Sequence, residues 1–277
     1  MRDTINQPYP ASPRALFASL WHNRELIAQL TRREVLSRYR GSILGLAWSF
    51  FNPLLMLVVY TFVFSVVFKA RWGLGDESKA DFAIVLFVGM IIHGLFAECV
   101  NRAPGLILTN ANYVKRVVFP LEILPWVAAG SALFHSAVSI VVLLMAQVIF
   151  QHALALTIVF LPIVLVPLLF ATMGFAWFLA SIGVYVRDIS QTIGIFTMVL
   201  LFLSPVFYPA DALPEDYRFL LLLNPLTFVI EDARRVLIWG QAPDWTALLI
   251  YAPASFVVAW LGFWWFQRTR RGFADVV

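Results

Sequence analysis

The residues able to do chemistry are few and scattered. Four histidines, His22, His93, His135 and His152, and one cysteine, Cys99, are spread over 277 residues. A single cysteine excludes an intramolecular disulfide and any Cys-based zinc or iron–sulfur site, and no histidine has a companion at metal-ligand spacing. His93 and His135 fall inside long uncharged runs, where an ionisable group is a functional candidate. A neutral imidazole hydrogen-bonded to a neighbouring helix fits the same positions. Glu98 and Glu122 border such runs and can pair with Arg102 or Lys115. No G-x-x-x-x-G-K-[ST] is present, so the chain cannot bind ATP by the P-loop route, and neither G-x-S-x-G nor H-E-x-x-H occurs. Covalent catalysis by this chain alone is not expected. The unusual resource is aromatic: 25 Phe, 10 Trp and 8 Tyr, 16% of the chain. Trp48, Phe51 and Tyr60 run through one apolar stretch, and Phe196, Phe202, Phe207 and Tyr208 along another. Aromatic faces stack on sugar rings without fixing a register, which suits a sliding polymer; contact with lipid suits the same side chains.

The elements that must position these residues follow from composition. At 61% hydrophobic and 13% charged, with mean hydropathy +0.82, the chain has too little polar surface to coat a water-soluble particle. It reads as an all-α integral membrane protein. A crossing needs ~20 apolar residues. Arg40 to Lys69 encloses one charge-free run and Phe82 to Ala97 another, the latter continuing past Glu98. Ile123 to Val186 is uncharged for 64 residues, too long for one helix, and divides at Gln151-His152. The reading is six spans, at about 43–68, 82–100, 121–150, 156–186, 189–209 and 245–267. Residues 1–42 form an N-terminal segment and 268–277 a tail. With both termini on the cytoplasmic side, inner segments hold fourteen Lys and Arg and outer segments six, the bias expected of that orientation. The start of the chain, with Arg2, Asp3, Pro8, Pro10 and Arg14, lacks the apolar run of a cleavable signal. The basic residues lie beside spans, so membrane orientation explains them better than nucleic acid does.

Three pieces outside the spans carry further expectations. Leu16, Leu20, Ile27 and Leu30 lie at helical spacing among charges, predicting an amphipathic helix on the inner membrane surface. Thr31-x-x-Glu34 fits a capping box where a second helical piece could start. This segment could equally be a plain topogenic anchor. The loop from Asn101 to Pro120 is compact, polar-apolar and framed by prolines, as a short helix docking on a soluble partner would be; a simple connector has the same composition. Phe219–Ile230 is uncharged but too short to span and is broken at Asn224-Pro225. It predicts re-entrant or interfacial helices on the outer side, between spans five and six.

These residues also carry a resemblance. Arg38-Tyr39-Arg40-Gly41-Ser42-x-Leu44-Gly45-x-x-Trp48 followed by Asn52-Pro53-Leu54, then Asn112 to Leu121, Arg187-Asp188-Ile189, Ser204-Pro205-Val206-Phe207-Tyr208-Pro209, and Asn224-Pro225-Leu226, resemble in order the permeases of ABC exporters of polysaccharide. The wording is closest to the O-antigen (Wzm-like) type, as distinct from capsule or teichoic-acid permeases. The resemblance runs from about Thr31 to the C-terminus.

It implies a homodimer working with two copies of a separate ATPase, which would hold the ATP and magnesium; no cofactor is implied for this chain. It further implies a bacterial inner-membrane location and an undecaprenyl-pyrophosphate-linked polysaccharide as substrate. Coupling to the ATPase is expected at Arg102, Asn110, Asn112, Tyr113, Lys115 and Arg116. Arg32, Arg33, Arg38, Tyr39 and Arg40 are expected at the lipid pyrophosphate, since guanidinium suits bidentate phosphate binding. The polymer path is expected along Trp48, Phe51, Tyr60, Phe196 and Phe202. Phe207, Tyr208, Phe219, Asn224 and Pro225 are expected to form a periplasmic gate. A permease for a drug or small lipid would share the six spans but not need this aromatic load. A membrane enzyme of envelope-lipid metabolism would need clustered acidic, His or Ser residues at one face, which the sequence lacks.

Overall fold

The computed structural model describes residues 10–67, 79–114, 119–152 and 154–276, and every regular element among them is helical. Two short helices, α1 (Pro13–His22) and α2 (Arg24–Arg38), precede α3 (Ala47–Tyr60), which continues as a π-helical segment, Thr61–Val67. Next come α4 (Lys79–Arg102) and two single turns, α5 (Leu106–Thr109) and α6 (Ala111–Val114). The long α7 (Leu124–Gln151) and α8 (Leu161–Tyr185) follow, then the shorter α9 (Ile189–Leu203). On the way to α12 (Trp245–Thr269) lie α10 (Arg218–Leu223) and α11 (Thr227–Leu237); α13 (Phe273–Val276) ends the chain.

Five helical stretches among the described residues are long and apolar enough to cross a bilayer: Ala47–Phe64, Phe82–Thr109, Leu121–Gln151, Leu156–Tyr185 and Trp245–Val276. The 15-residue α9 falls short, reaching only about 22 Å at 1.5 Å per residue. Its end has a local cause. Pro205 lacks an N–H and disfavours helical backbone at the residue before it, and Ser204 is accordingly extended, φ −87° and ψ 150°.

The second long stretch is the axis of the bundle. Its apolar window is 78% buried inside the protein, whereas that of the first is 11% buried. The first stretch therefore presents most of its surface, including Trp48, Phe51, Leu55, Val58 and Phe62, to whatever surrounds the chain. Trp177 on α8 is fully buried, edge-on to Trp126 and Phe263, with its indole N–H donated to the Glu122 carbonyl at 3.0 Å. That bond ties the start of α7 to the middle of the α8–α12 pair.

The N-terminal segment departs from the expected break at Thr31. The chain instead breaks at Asn23, whose side-chain amide donates to the Ser19 carbonyl at 2.8 Å and closes α1. Thr31 and Glu34 lie inside α2, so no capping box forms; Thr31 packs onto Gly130 of α7 and Glu34 pairs with Arg102. Tertiary contacts have taken both side chains from the local use their spacing suggested. Of the apolar stripe expected on the membrane surface, Leu16 is buried within the protein, and Leu20, Ile27 and Leu30 are half-buried.

Between α2 and α3 the chain turns through Gly41 and Gly45, at φ +85° and +51°. Side chains other than glycine rarely adopt this backbone, which is the physical content of the Arg-Gly-Ser-x-Leu-Gly spacing.

Candidate functional site

A polar cavity of about 360 Å³ opens between the end of α2, α3, α4 and α7. Its chemistry centres on Glu98. The carboxylate accepts from Arg38 Nη1 at 2.5 Å and from His135 Nδ1 at 2.9 Å. A carboxylate cannot donate, so Nδ1 of His135 carries a proton; Nε2 is buried with no partner among the described residues. Arg102, one turn on, contacts Glu98 at 3.9 Å and pairs with Glu34 of α2. Glu98 thus joins α2, α4 and α7. Tyr39 stands edge-on to His135 with ring centres 6.1 Å apart. Burial lifts the Tyr39 phenol above its ordinary value, with Arg38 opposing and Glu98 adding, so it remains a neutral hydroxyl at physiological pH. Ser49, Asn52, Tyr60, Ser136 and Ser139 complete the polar lining.

Sequence reasoning missed this constellation. It paired Glu98 with Arg102 or Lys115, whereas the strongest partners, Arg38 and His135, are remote in sequence. The available signal was an ionisable residue in each of the second and third long stretches, with arginines just ahead of the first stretch.

The five residues expected at a lipid pyrophosphate are not brought together. Arg38 and Tyr39 line the cavity. Arg33 lines a separate cleft of about 190 Å³ between α2 and α5–α6, while Arg32 and Arg40 are exposed. That smaller cleft unites part of the expected coupling set: Asn110 and Tyr113 face Arg33, Glu34 and Ser37 across it. Asn110 closes α5 by donating to the Leu106 carbonyl at 2.9 Å, and Tyr113 stacks on Phe119 with centroids 4.2 Å apart. Asn112 is exposed. Lys115 and Arg116 lie outside the described residues.

Of the aromatics expected along a path, Tyr60 lines the cavity, whereas Trp48 and Phe51 on α3 and Phe196 and Phe202 on α9 are exposed. The α9 helix is held to α4 by His93, whose Nε2 donates to the Thr197 carbonyl at 2.9 Å, and by the Thr197 hydroxyl, which donates to Asn101 Oδ1 at 3.0 Å. His93 is therefore a structural cross-link between helices.

Four of the five residues expected at a gate each have a partner elsewhere in the fold. Phe207 stacks on Phe64 at 5.6 Å, and the Tyr208 hydroxyl donates to the Phe202 carbonyl. Asn224 donates to Ser204 Oγ at 2.9 Å, and the Pro225 carbonyl accepts from Tyr251 at 2.5 Å. Phe219 stands apart, exposed on α10. Among the described residues no group of three His, Cys, Asp or Glu is placed to hold a metal ion.

These features define a multi-pass helical membrane protein in which Arg38, Glu98 and His135 meet in a cavity between helices. The profile of the ABC-2 type transporter family matches residues 25–238, and the chain belongs to that family. It is 26% identical over 264 residues to an O-antigen export system permease protein, RfbA, of Myxococcus xanthus, covering 95% of this chain and 99% of that one. It is 22% identical to an RfbA of Klebsiella pneumoniae, covering 91% and 95%. To the polysialic acid transport protein KpsM of Escherichia coli it is 24% identical, covering 85% and 90%.

Proposed function

We propose that this chain is the transmembrane subunit of an ABC exporter that moves lipid-linked polysaccharide, O-antigen in particular, across the bacterial inner membrane. The observation that carries this reading is its full-length similarity to permeases named for O-antigen export. Two copies would pair, with two separate ATPase subunits supplying ATP and magnesium. In this reading α9 and the irregular 204–209 stretch make a fifth span, giving six with the five long stretches. Both termini lie in the cytoplasm, and α10 and α11 re-enter the outer leaflet between spans five and six. Residues 1–42, 43–267 and 268–277 are then an interface segment, a transmembrane domain and a tail.

Each part has a physical task. The α5–α6 turns, with exposed Asn112, receive the motion of the ATPase, and the Glu34–Arg102 pair passes it to α2 and α4. Arg38 sits at the inner mouth of the cavity, where its guanidinium can leave Glu98 for an incoming pyrophosphate, a stronger bidentate acceptor. Arg32, Arg33 and Arg40 raise the positive potential there. The exposed aromatics of α3 and α9 become pathway walls once a second copy faces them, and Phe207, Tyr208, Asn224 and Pro225 form the outer gate.

Co-purification with the ATPase encoded beside it, followed by an ATPase assay with lipid-linked polysaccharide, tests this reading. A two-plus-two complex stimulated by the polymer is the expected result. A complex indifferent to polysaccharide would move the substrate to a drug or small lipid, and absence of any complex would overturn the reading.

A further inference from the structure

Arg234 lies on α11, outside the long apolar stretches, yet its side chain is completely buried. A guanidinium removed from water is tolerated only if its N–H groups find acceptors. Nε donates to the Val85 carbonyl at 3.2 Å, Nη1 to the Pro205 carbonyl at 2.6 Å and Glu231 Oε1 at 2.8 Å, and Nη2 to the Val206 carbonyl at 3.1 Å. These acceptors come from α4, from the stretch just beyond α9, and from α11 itself. The carbonyls of Pro205 and Val206 lie past the point where Pro205 ends α9, so no helical N–H serves them.

The surroundings are shaped to admit the arginine. A Cβ at Gly89 of α4 would stand 3.1 Å from Arg234 Nη2 and 3.2 Å from the Val206 Cα. Glycine there lets the guanidinium and the post-α9 stretch lie against α4. Burial pulls Arg234 down to about 10 while Glu231 opposes, so it remains charged at neutral pH. The next residue after the gripped carbonyls is Phe207, which stacks on Phe64 and contacts Phe202 at 5.6 Å.

We propose that Arg234 is the positioning residue of the outer mouth: by gripping the carbonyls of Pro205 and Val206 against α4 it fixes Phe207 on Phe64 and Tyr208 on the end of α9 and keeps the path closed between export cycles. This rests on the reading of Phe207 and Tyr208 as an outer gate. Lysine is not an equivalent, because one ammonium cannot reach acceptors fanned around a planar guanidinium.

The test is passive leak of a small fluorescent solute from liposomes containing the assembled permease–ATPase complex, without ATP and without polysaccharide. Wild type and the control Arg235→Gln, whose side chain is partly exposed on α11, should hold the solute. Arg234→Gln and Arg234→Lys should assemble in normal amount but leak several-fold faster, a readout that reduced stability alone would not move. Tight Arg234 variants, a wild type that leaks as fast as they do, or failure of both variants to assemble would each overturn the proposal; the last would make Arg234 a folding residue. Leak requires no polymer, so fast leak from a complex that never responds to polysaccharide would sink the substrate reading and leave the clamp standing.

Discussion

The carbonyl oxygen of Gly174 on α8 stands 2.1 Å from where a Cβ on Gly262 of α12 would be. The two backbones meet with no room for a methyl group, as small residues permit in membrane helix pairs. Val258, one turn earlier on α12, crowds Gly174 in the same way, so the crossing is closed from both sides.

Gly262→Ala must therefore push the two helices apart. The expected cost is about 1–3 kcal/mol, the usual range for overpacking, because backbone cannot swing aside as a flexible side chain can. Thermal unfolding in detergent would show it as a lower melting temperature. Gly194→Ala, where a Cβ meets nothing within 4 Å, is the control; equal melting for both variants would contradict the close crossing.

Glu98→Gln leaves an oxygen facing Arg38 and His135 but removes the negative charge that both bonds rely on. A hydrogen bond to a charged group is worth about 1.5–3 kcal/mol, and the partial exposure of Arg38 reduces that through solvent screening. The expected loss is about 1–2 kcal/mol, accompanied by faster proteolysis in the Arg40–Leu46 turn as the end of α2 loosens from α4 and α7. Unchanged proteolysis would show that the apolar stripe, the Glu34–Arg102 pair and the Thr31–Gly130 contact hold α2 without Glu98.

Arg270 donates to Glu122 Oε2 at 2.5 Å and to the Phe119 carbonyl at 2.9 Å, and both ion-pair side chains are nearly buried. Removing one member of a buried pair costs about 3 kcal/mol or more. Arg270→Gln should thus lower the melting temperature more than Arg268→Gln, whose guanidinium lies over the exposed Trp264 ring. The opposite order in a melting experiment would contradict the pairing.

The outer knot gives a pH dependence of definite sign. Burial holds the Glu231 carboxyl above its ordinary 4.5, outweighing the attraction of Arg234. The folded protein therefore binds this proton more tightly than the unfolded chain. The associated stability is full below the ordinary value and is lost as pH rises through the raised one. Glu231→Gln imitates the protonated form, so its melting temperature relative to wild type should climb as pH rises above the ordinary carboxyl range. A gap that stays constant or shrinks would mean that the ion pair outweighs desolvation.

Much of this arrangement was legible without coordinates, because membrane insertion imposes simple rules. The long apolar stretches follow from uncharged runs. The interruption of Phe219–Ile230 at Asn224-Pro225 follows from proline, and it separates α10 from α11. Gly41 and Gly45 mark the turn that releases α3. Local signals misled where tertiary contacts competed for the same side chains, as at Thr31 and Glu34. The aromatic pattern could not say which rings line a cavity, since Phe and Trp suit lipid and protein surfaces alike; of five path residues only Tyr60 faces the polar cavity.

Hydropathy and the placement of proline and glycine are properties of short windows, and so the sequence by itself determined a helical membrane protein, its long apolar elements and their breaks. Pairing between ionisable groups depends on which helices lie side by side and at what depth. Only the tertiary structure could bring Arg38 and His135 to Glu98, Arg270 to Glu122, and the three segments gripped by Arg234. The reason is energetic: a charge withdrawn from water needs a partner close at hand, and that partner is chosen by packing across the bundle rather than by spacing along the chain.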